Sequence, residues 1–195
     1  MSREVLNRRL AALLDTLSNK VFLSNHGIGN EIGFYIFAYA PEHEPLVEPF
    51  LPKLGNQLAN AGVKVVNFNL YRLILELLEE RDQLGQIFEL EKRKGSARLE
   101  KALKKIVRPE RLVELIQAKL TQPHDLVLLT GVGAAYPLIR SHTVLNNLHP
   151  VIDKVPVVMF FPGSYTGQEL RLFDELKDDN YYRAFPLLPE AVSEA

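Results

Sequence analysis

The sequence predicts an α/β fold: a mostly parallel sheet with helices on both faces, degenerate nucleotide-binding-like, with a helical insertion between strands two and three. Three observations support this class. Short apolar runs show little alternation, as is typical of strands covered on both faces. Segments with helical periodicity separate these runs. Glycines follow several runs, at places where the chain must turn from strand to helix.

Composition limits the class of protein. With 195 residues and 47% hydrophobic content, residues 1–195 are expected to form a single α/β domain with a flexible C-terminal tail over about 189–195. The 23 basic and 24 acidic residues leave a formal charge of -1, so no global field attracts nucleic acid. The chain has no cysteine, which excludes disulfides and thiolate chemistry and fits a reducing compartment.

Neither a secretory signal nor a membrane span is expected. The segment from Met1 to Leu17 mixes charged and apolar residues and lacks an unbroken apolar stretch. The longest apolar runs, such as Val155 to Phe161, are far shorter than the roughly 18 residues that a transmembrane helix needs. We therefore expect a soluble, cytoplasmic protein.

The first half of the chain predicts helices that alternate with strands. Apolar spacing predicts a helix that ends near Leu17, and the glycine-containing segment from Asn25 to Glu31 predicts a loop. The elements expected after it are strand one at Gly33–Tyr39, a helix over Glu44–Ala61 with Gly62 as its C-cap, strand two at Val63–Phe68 and a helix over Leu70–Leu78.

A helical insertion over about 82–120 precedes the third strand. The pairs Gly95-Ser96 and Arg108-Pro109 divide it into shorter helices, the second because proline favours the first helical position. The remaining expected elements are strand three at Asp125–Thr130, a helix from about Pro137, strand four at Val155–Phe161, a helix over Gln168–Leu176 and a last strand at Tyr181–Leu187.

Ligands of parallel sheets bind beyond the carboxyl ends of the strands, which directs attention to the loops after Phe37, Thr130 and Phe161. The glycine loop from Gly131 to Tyr136 runs from a strand into a helix, where free amides can meet an anion. It is incomplete as a motif, because a dinucleotide fingerprint has glycine where Tyr136 stands, and the chain has no glycine–lysine step of a Walker A loop. A tight turn without a ligand is the alternative interpretation, and the favoured one.

The segment after this loop is rich in hydrogen-bonding side chains. Arg140 and His142 near the mouth of a sheet are suited to hold a carboxylate or phosphate, and His142 shares a helix face with Asn146. A polar network that fixes the helix against the sheet explains the same residues, and this reading is favoured because no nucleophile is placed beside them by spacing.

No catalytic residue, metal site or cofactor is predicted. The five histidines show no metal-binding spacing. Ser164 lies between glycines at 163 and 167, which is not the spacing of a nucleophile elbow, so a turn is expected there.

One surface feature departs from an ordinary charge distribution. The segment from 92 to 111 is strongly basic, whereas the segment before it is acidic. Its basic residues are Lys92, Arg93, Lys94, Arg98, Lys101, Lys104, Lys105, Arg108 and Arg111. Lys101, Lys104 and Lys105 are therefore candidate nucleic-acid contacts. Two solvated helices that neutralise each other are the favoured alternative, since no aromatic residue for base stacking interrupts the run.

Several motifs in combination resemble those of the BrxB family. They are Asn30-Glu-Ile, Phe34-Tyr-Ile-Phe-Ala-Tyr-Ala-Pro41, Asn69-Leu-Tyr, Leu128-Leu-Thr-Gly-Val-Gly133, Tyr136-Pro-Leu-Ile-Arg-Ser-His142, Leu145-Asn-Asn-Leu148, Phe160-Phe-Pro-Gly163 and Lys177-Asp-Asp-Asn-Tyr-Tyr-Arg-Ala-Phe185. The resemblance runs from about Leu13 to Phe185. The family is a small component of bacterial BREX bacteriophage-exclusion systems, and it supplies no established catalytic residues.

The resemblance implies a role in phage restriction beside an adenine methyltransferase, a large ATPase and the alkaline-phosphatase-like protein PglZ. Together with a loop that lacks a phosphate-gripping lysine, it favours a non-enzymatic adaptor that binds other BREX proteins, PglZ foremost. The candidate contact surface is the carboxyl-end rim, composed of Tyr39, Thr130, Gly131, Gly133, Tyr136, Arg140, His142, Asn146, Tyr165, Asn180, Tyr181, Tyr182 and Arg183. A nucleotide-responsive subunit and a DNA-contacting subunit are the alternatives.

Overall fold

A computed structural model describes residues 1–24, 33–79, 84–177 and 184–189. The predicted loop at 25–31, most of the expected tail and the candidate residues Asn180, Tyr181, Tyr182 and Arg183 lie outside the described residues. The elements along the chain are α1 (Arg3–Leu17), α2 (Lys20–Leu23), β1 (Phe34–Tyr39), α3 (Glu44–Asn60), β2 (Val65–Asn69), α4 (Leu70–Glu79), α5 (Leu84–Lys94), α6 (Ser96–Ile106), α7 (Pro109–Lys119), β3 (Leu126–Thr130), α8 (Val132–Ala135), α9 (Ser141–Leu148), β4 (Val157–Tyr165), β5 (Leu170–Leu172), β6 (Leu176–Lys177) and β7 (Phe185–Pro186).

The main sheet has the order β2-β3-β4-β1-β7, and all neighbours in this order are parallel. The predicted α/β class with a mostly parallel sheet is therefore confirmed. β1 and β4 pair over the full length of β1, from Phe34 beside Val157 to Tyr39 beside Pro162. Both strands are almost entirely buried, which explains why their sequences show so little polar alternation.

Alternate residues of each central strand pack against two different helical layers. Phe37 of β1 and Phe160 of β4 lie in the core formed with α1 and α3. Ile36 and Met159 belong to the opposite core, formed with α4, α7, α8 and α9. Helices therefore cover both faces of the sheet, as predicted.

The helical insertion between strands two and three is confirmed. α5 ends at Lys94 and α6 begins at Ser96, so the break lies at Gly95, whose φ of 76° leaves the helical region. α7 begins at Pro109 in the favoured first helical position. Gly62 has φ 83° and its N–H donates to the Ala59 carbonyl, which ends α3 as expected of a left-handed C-cap.

The helix predicted over Gln168–Leu176 is wrong. This segment forms β5 and β6, an antiparallel hairpin that pairs with the extended end of β4. Phe173 and Asp174 have φ of 56° and 60° at the turn, which helical residues do not adopt. Leu170 and Leu172 are buried on either side of exposed Arg171, and this alternation was the signal for a strand.

Two further expectations need correction. No helix begins at Pro137, because Tyr136 before it is extended and the chain regains helical geometry only at Ser141. Tyr136 and Arg140 therefore flank helices instead of lying within one. The expected last strand at Tyr181–Leu187 is reduced, within its described part, to the two residues of β7.

Replacement of glycine at the hairpin tests this architecture. A Cβ at Gly163 would collide with the Arg171 carbonyl oxygen and lie 3.0 Å from the Phe173 amide nitrogen, and φ there is 152°. We expect Gly163→Ala to lower the free energy of unfolding by more than about 2 kcal/mol. Urea denaturation followed by circular dichroism measures the effect.

Two matched glycines separate backbone strain from collision. Gly62 has φ 83° with open space around it, and Gly55 lies within α3, also with open space. We expect Gly62→Ala to cost about 1 kcal/mol and Gly55→Ala to stabilise by about 0.5–1 kcal/mol. Equal effects at all three positions would contradict the proposed role of Gly163.

Candidate functional site

The carboxyl ends of the four parallel strands β1 to β4 lie together at one end of the sheet. β1 ends at Tyr39, which lies beside Pro162 of β4, and β2 ends at Asn69, which lies beside Thr130 of β3. This end of the sheet is the carboxyl-end rim, the usual place for ligands in such folds. Three cavities open along it, with volumes of about 260, 370 and 170 Å³.

The 260 Å³ cavity contains the glycine loop that the sequence singled out. It is lined by Thr130, Gly131 and Gly133 and, from the opposite side, by Glu44, Glu48 and Arg72. Two carboxylates and one guanidinium thus face the loop amides. Because a phosphate bound there would lie near both carboxylates, the charge of the cavity opposes anion binding.

Gly131 allows a close approach between two strand ends. Its φ of 67° is left-handed, and a Cβ there would lie 2.7 Å from Cγ of Asn69. The Asn69 Oδ1 accepts a hydrogen bond from the Arg72 amide at 3.1 Å and so caps α4. The Thr130 hydroxyl is buried and donates to Oδ1 of Asn67 at 2.9 Å. These polar groups already hold the turn together, without a ligand.

Gly133 is packed against Pro162 of β4 and Phe173 of the β5–β6 turn. A Cβ at this position would lie 3.0 Å from the Phe173 ring and 3.2 Å from Pro162. The helix that follows, α8, has only four residues, and such a helix carries little of the macrodipole that favours anions. The close packing at Gly133 is what the interpretation of this loop as a tight turn expects.

Tyr39 is buried and fixes a carboxylate at the start of α3. Its hydroxyl donates to Oε2 of Glu44 at 2.6 Å. Burial, together with the negative charges of Glu44 and Glu48, strongly raises the pKa of Tyr39. Burial also raises the pKa of Glu44, and the hydrogen bond from Tyr39 partly offsets this rise. Tyr39 therefore belongs to the wall of the rim and not to its exposed surface.

Tyr165 extends the rim beyond the end of the parallel sheet. Its hydroxyl donates to the Ala184 carbonyl oxygen at 2.8 Å, and burial raises its pKa to about 12. It lines the 370 Å³ cavity with Tyr39 and Arg9. The guanidinium of Arg9 lies 4.5 Å above the Phe37 ring, and its Nε donates to the Leu188 carbonyl at 2.7 Å. The Tyr165 bond ties the C-terminal segment to β4, and the Arg9 bond ties it to α1.

Tyr136 and Arg140 lie together in the 170 Å³ cavity, where they meet Leu176 and Lys177 of the β5–β6 hairpin. The Tyr136 ring makes an edge contact with Phe173, with 6.4 Å between centroids. Arg140 is exposed and precedes α9. The hairpin was mispredicted as a helix, so the sequence did not indicate that this cavity exists.

His142 and Asn146 lie on α9 and have different environments. His142 is half-buried, with Nε2 3.0 Å from the Thr143 hydroxyl, whereas Asn146 is exposed more than a helical turn from the start of α9. Neither lines one of the three rim cavities. The sequence also missed Glu44, Glu48 and Arg72, because their proximity depends on how α3 and α4 cross the strand ends.

The basic segment lies on the helical insertion, away from these rim cavities. Lys101, Lys104 and Lys105 are exposed on α6. Lys104 forms an ion pair with Glu100 at 2.6 Å. Lys101 and Lys105 are four residues apart and therefore share one helix face.

The fold and rim together define a class of protein. It is an α/β protein whose strand ends are arranged as in nucleotide-binding folds. In this chain, side chains pack against the glycine loop, and two carboxylates line the cavity beside it. Within the described residues, every helix is too short or too polar to cross a membrane. No solved structure matches the chain.

Comparison with known proteins identifies the family. The family model described as BREX protein BrxB matches residues 66–187. A protein of Bacillus cereus (strain H3081.97) named BREX protein BrxB is 46% identical over 187 residues, which cover 94% of this chain and 97% of that protein. One of Escherichia coli O9:H4 (strain HS) with the same name is 34% identical over 187 residues, or 95% and 93% of the two chains. The chain belongs to the BrxB family.

The pair formed by Tyr39 and Glu44 leads to a pH-dependent prediction. The pKa of Glu44 is raised in the folded state, so the protonated carboxyl group stabilises the fold. This contribution to the free energy of unfolding is complete below the ordinary pKa of 4.5 and is lost as the pH rises through the folded pKa. Glu44→Gln keeps an acceptor for Tyr39 without a charge. We expect the unfolding free energy of this variant, relative to wild type, to increase between about pH 4 and pH 7.

Tyr39→Phe provides the complementary measurement. The Tyr39 hydroxyl favours the ionised carboxylate, so its removal raises the pKa of Glu44 further and moves the loss of stability to higher pH. Urea denaturation at a series of pH values measures both effects. If the free energies of unfolding of wild type and Glu44→Gln changed in parallel with pH, the raised pKa of Glu44 would be contradicted.

Proposed function

We propose that the chain is a non-enzymatic adaptor of a BREX complex, that it acts as a single domain in the cytoplasm, and that its carboxyl-end rim binds another BREX protein, PglZ. Family membership gives the system in which it works. The choice of PglZ rests on the resemblance to BrxB proteins. The adaptor role rests on the rim.

One observation carries the proposal: exposed apolar side chains flank the rim. Of the four large apolar side chains that are exposed in the described part of the chain, Tyr71 lines the 260 Å³ cavity and Leu176 lines the 170 Å³ cavity. They are 41% and 36% exposed. Tyr136 and Arg140 line the same cavity as Leu176, and tyrosine and arginine are among the residues that most often anchor protein interfaces.

The charges of the rim differ between its ends. The 260 Å³ cavity has two carboxylates, Glu44 and Glu48, against Arg72. The 170 Å³ cavity is lined by Arg140, Lys177 and Glu175, and Lys177 also forms an ion pair with Glu169 at 2.6 Å. A partner with the opposite arrangement is oriented by this difference, which contributes to specificity more than to affinity.

The packing of the glycine loop supports a binding role over catalysis. Phe173 and Pro162 occupy the space beside Gly133, and the loop faces two carboxylates. A nucleotide-responsive subunit would need this loop to hold phosphates. We therefore favour the adaptor function over a nucleotide-responsive function for this rim.

Replacement of Arg140 tests the rim as an interface. We expect Arg140→Ala to weaken binding to purified PglZ by on the order of tenfold or more, because a central arginine anchor is worth roughly 2 kcal/mol. Arg108→Ala is the matched control, since Arg108 is an exposed arginine that precedes α7 on the helical insertion. Size-exclusion chromatography detects the complex, and isothermal titration calorimetry gives its Kd.

Three outcomes would contradict this proposal. No complex with any BREX component would remove the adaptor role. Equal weakening by Arg140→Ala and Arg108→Ala would place the interface elsewhere. Steady ATP consumption by the purified chain, abolished by Arg140→Ala, would establish an enzyme.

The exposed lysines of α6 favour a second candidate function, contact with DNA within the assembled complex. Lys101 and Lys105 share one face, and Lys104 lies beside them. Because phosphate contacts release counterions, we expect any DNA binding to weaken with salt, and Lys101→Gln with Lys105→Gln to reduce the salt slope by about two. Fluorescence anisotropy with duplex DNA measures this, with Lys53→Gln and Lys154→Gln as an exposed control pair. Binding curves that remain flat would remove this candidate.

A further inference from the structure

One edge of the main sheet is formed by β2. Three hydrogen bonds show which of its backbone N–H and C=O groups face the neighbouring strand β3. The Lys64 carbonyl oxygen accepts from the amides of Asp125 and Leu126, at 2.8 and 3.3 Å, and the Lys64 amide donates to Oδ2 of Asp125 at 2.8 Å. The backbone of Lys64 therefore faces β3. Because backbone groups alternate between the two edges of a strand, those of Val66 also face β3, whereas those of Val65 and Asn67 face outward.

The outward side of β2 is an open strand edge. Among the described residues, the sheet order begins at β2, and no strand pairs with this side. Val65 and Val66 are only half-buried. The opposite edge differs, because β7 has two residues and ends in Pro186, which cannot donate to a ladder. Of the two end strands of the main sheet that the structure describes, β2 is therefore the one that offers a regular row of donors and acceptors.

Helices rise on both sides of this edge and form a slot. A cavity of about 710 Å³ has the β2 residues from Val66 to Asn69 as its floor. Pro49 and Pro52 of α3 form one wall, and Arg72 and Glu76 of α4 form the other, with Lys119 of α7. A strand placed beside β2 at the usual spacing of about 4.8 Å would run between these walls.

The walls determine which occupant fits. The β2 edge of a second copy would bring its own α3 and α4 into the space that these walls occupy. A single extended polypeptide segment brings no helices, so it can reach the outward amides. The geometry therefore favours a segment of a partner protein over dimerisation through β2.

The two walls also differ in chemistry. The rings of Pro49 and Pro52 make the α3 wall largely apolar, and Pro52 leaves the Glu48 carbonyl oxygen without a helical N–H donor. The opposite wall carries Arg72 and the ion pair between Lys119 and Glu76, at 2.8 Å. A segment that alternates apolar and charged side chains matches both walls, because successive side chains of a strand point to opposite faces.

We propose that the open edge of β2 binds an extended, alternating segment of a partner protein by strand addition. The proposal rests on the adaptor function, and it assigns a second contact surface, separate from the pair formed by Tyr136 and Arg140. The outward N–H and C=O groups of Val65 and Asn67 make the main-chain bonds, and the slot selects the side chains.

Amide hydrogen exchange of the full-length protein, resolved residue by residue by NMR, tests the proposal. In the free protein, we expect the outward amides of Val65 and Asn67 to exchange at least roughly tenfold faster than those of Val66 and Phe68, which face β3. Saturation with purified PglZ, or in turn with the methyltransferase or the ATPase of the same system, should slow Val65 and Asn67 by on the order of tenfold or more. Val66 and Phe68 serve as internal controls.

A matched pair of variants tests the main-chain contact. Asn67→Pro removes only the outward N–H of this residue from the backbone, whereas Asn67→Ala keeps that N–H and removes the side-chain bond to Thr130. We expect Asn67→Pro to weaken partner binding by on the order of tenfold and Asn67→Ala to leave it within about twofold. The exchange measurement on wild type does not depend on the folding of either variant.

The outcomes separate this inference from the proposed function. A complex that forms while Val65 and Asn67 still exchange rapidly overturns strand addition and leaves the adaptor role intact. Slow exchange of both amides in the free protein also overturns strand addition, since the edge is then already covered. The absence of any complex overturns both proposals.

Discussion

The parallel pairing of β1 with β4, buried between two helical layers, is the constraint on which the structure depends. The two strands stay in register over six residue pairs, and most of their side chains are buried. Their backbone groups must therefore find partners within the sheet, because an unpaired buried amide or carbonyl is costly. A shift of one residue would exchange Phe37 with Ile36 between the two cores, so the register is strongly specified.

The same register determines the character of the carboxyl-end rim. It brings Tyr39, Asn69, Thr130 and Pro162 to one edge, as in proteins that bind nucleotides there. In this chain, however, side chains pack closely against the glycine loop. Asn69 lies against Gly131, Phe173 lies against Gly133, and Glu44 and Glu48 face the loop. The proposed interface at the rim therefore rests on exposed apolar side chains and on charged residues around the strand ends.

An adaptor that uses the rim and the β2 edge would contact partners through two kinds of chemistry. At the rim, recognition would depend on side chains such as Tyr136 and Arg140, held in place by the β5–β6 hairpin. At the edge, it would depend on backbone groups, with Pro49 and Pro52 selecting what lies beside them. The two surfaces adjoin, because Arg72 and Thr130 line both the slot beside β2 and the 260 Å³ cavity of the rim.

Local patterns in the sequence predicted the α/β class, the helical insertion and the approximate positions of β1 to β4, because buried strands and amphipathic helices differ in the period of their apolar residues. They also indicated that Gly131 and Gly133 form a turn. Local patterns did not distinguish a helix from the hairpin at 170–177, since a few apolar residues in a short segment fit either period and the left-handed turn at Phe173 depends on contacts. Only the tertiary structure brought Glu44 and Glu48 to the glycine loop, placed Arg140 beside Lys177 and left one edge of β2 open. Such proximities depend on strand order and on how helices cross the sheet, which are long-range properties that no segment of the chain specifies alone.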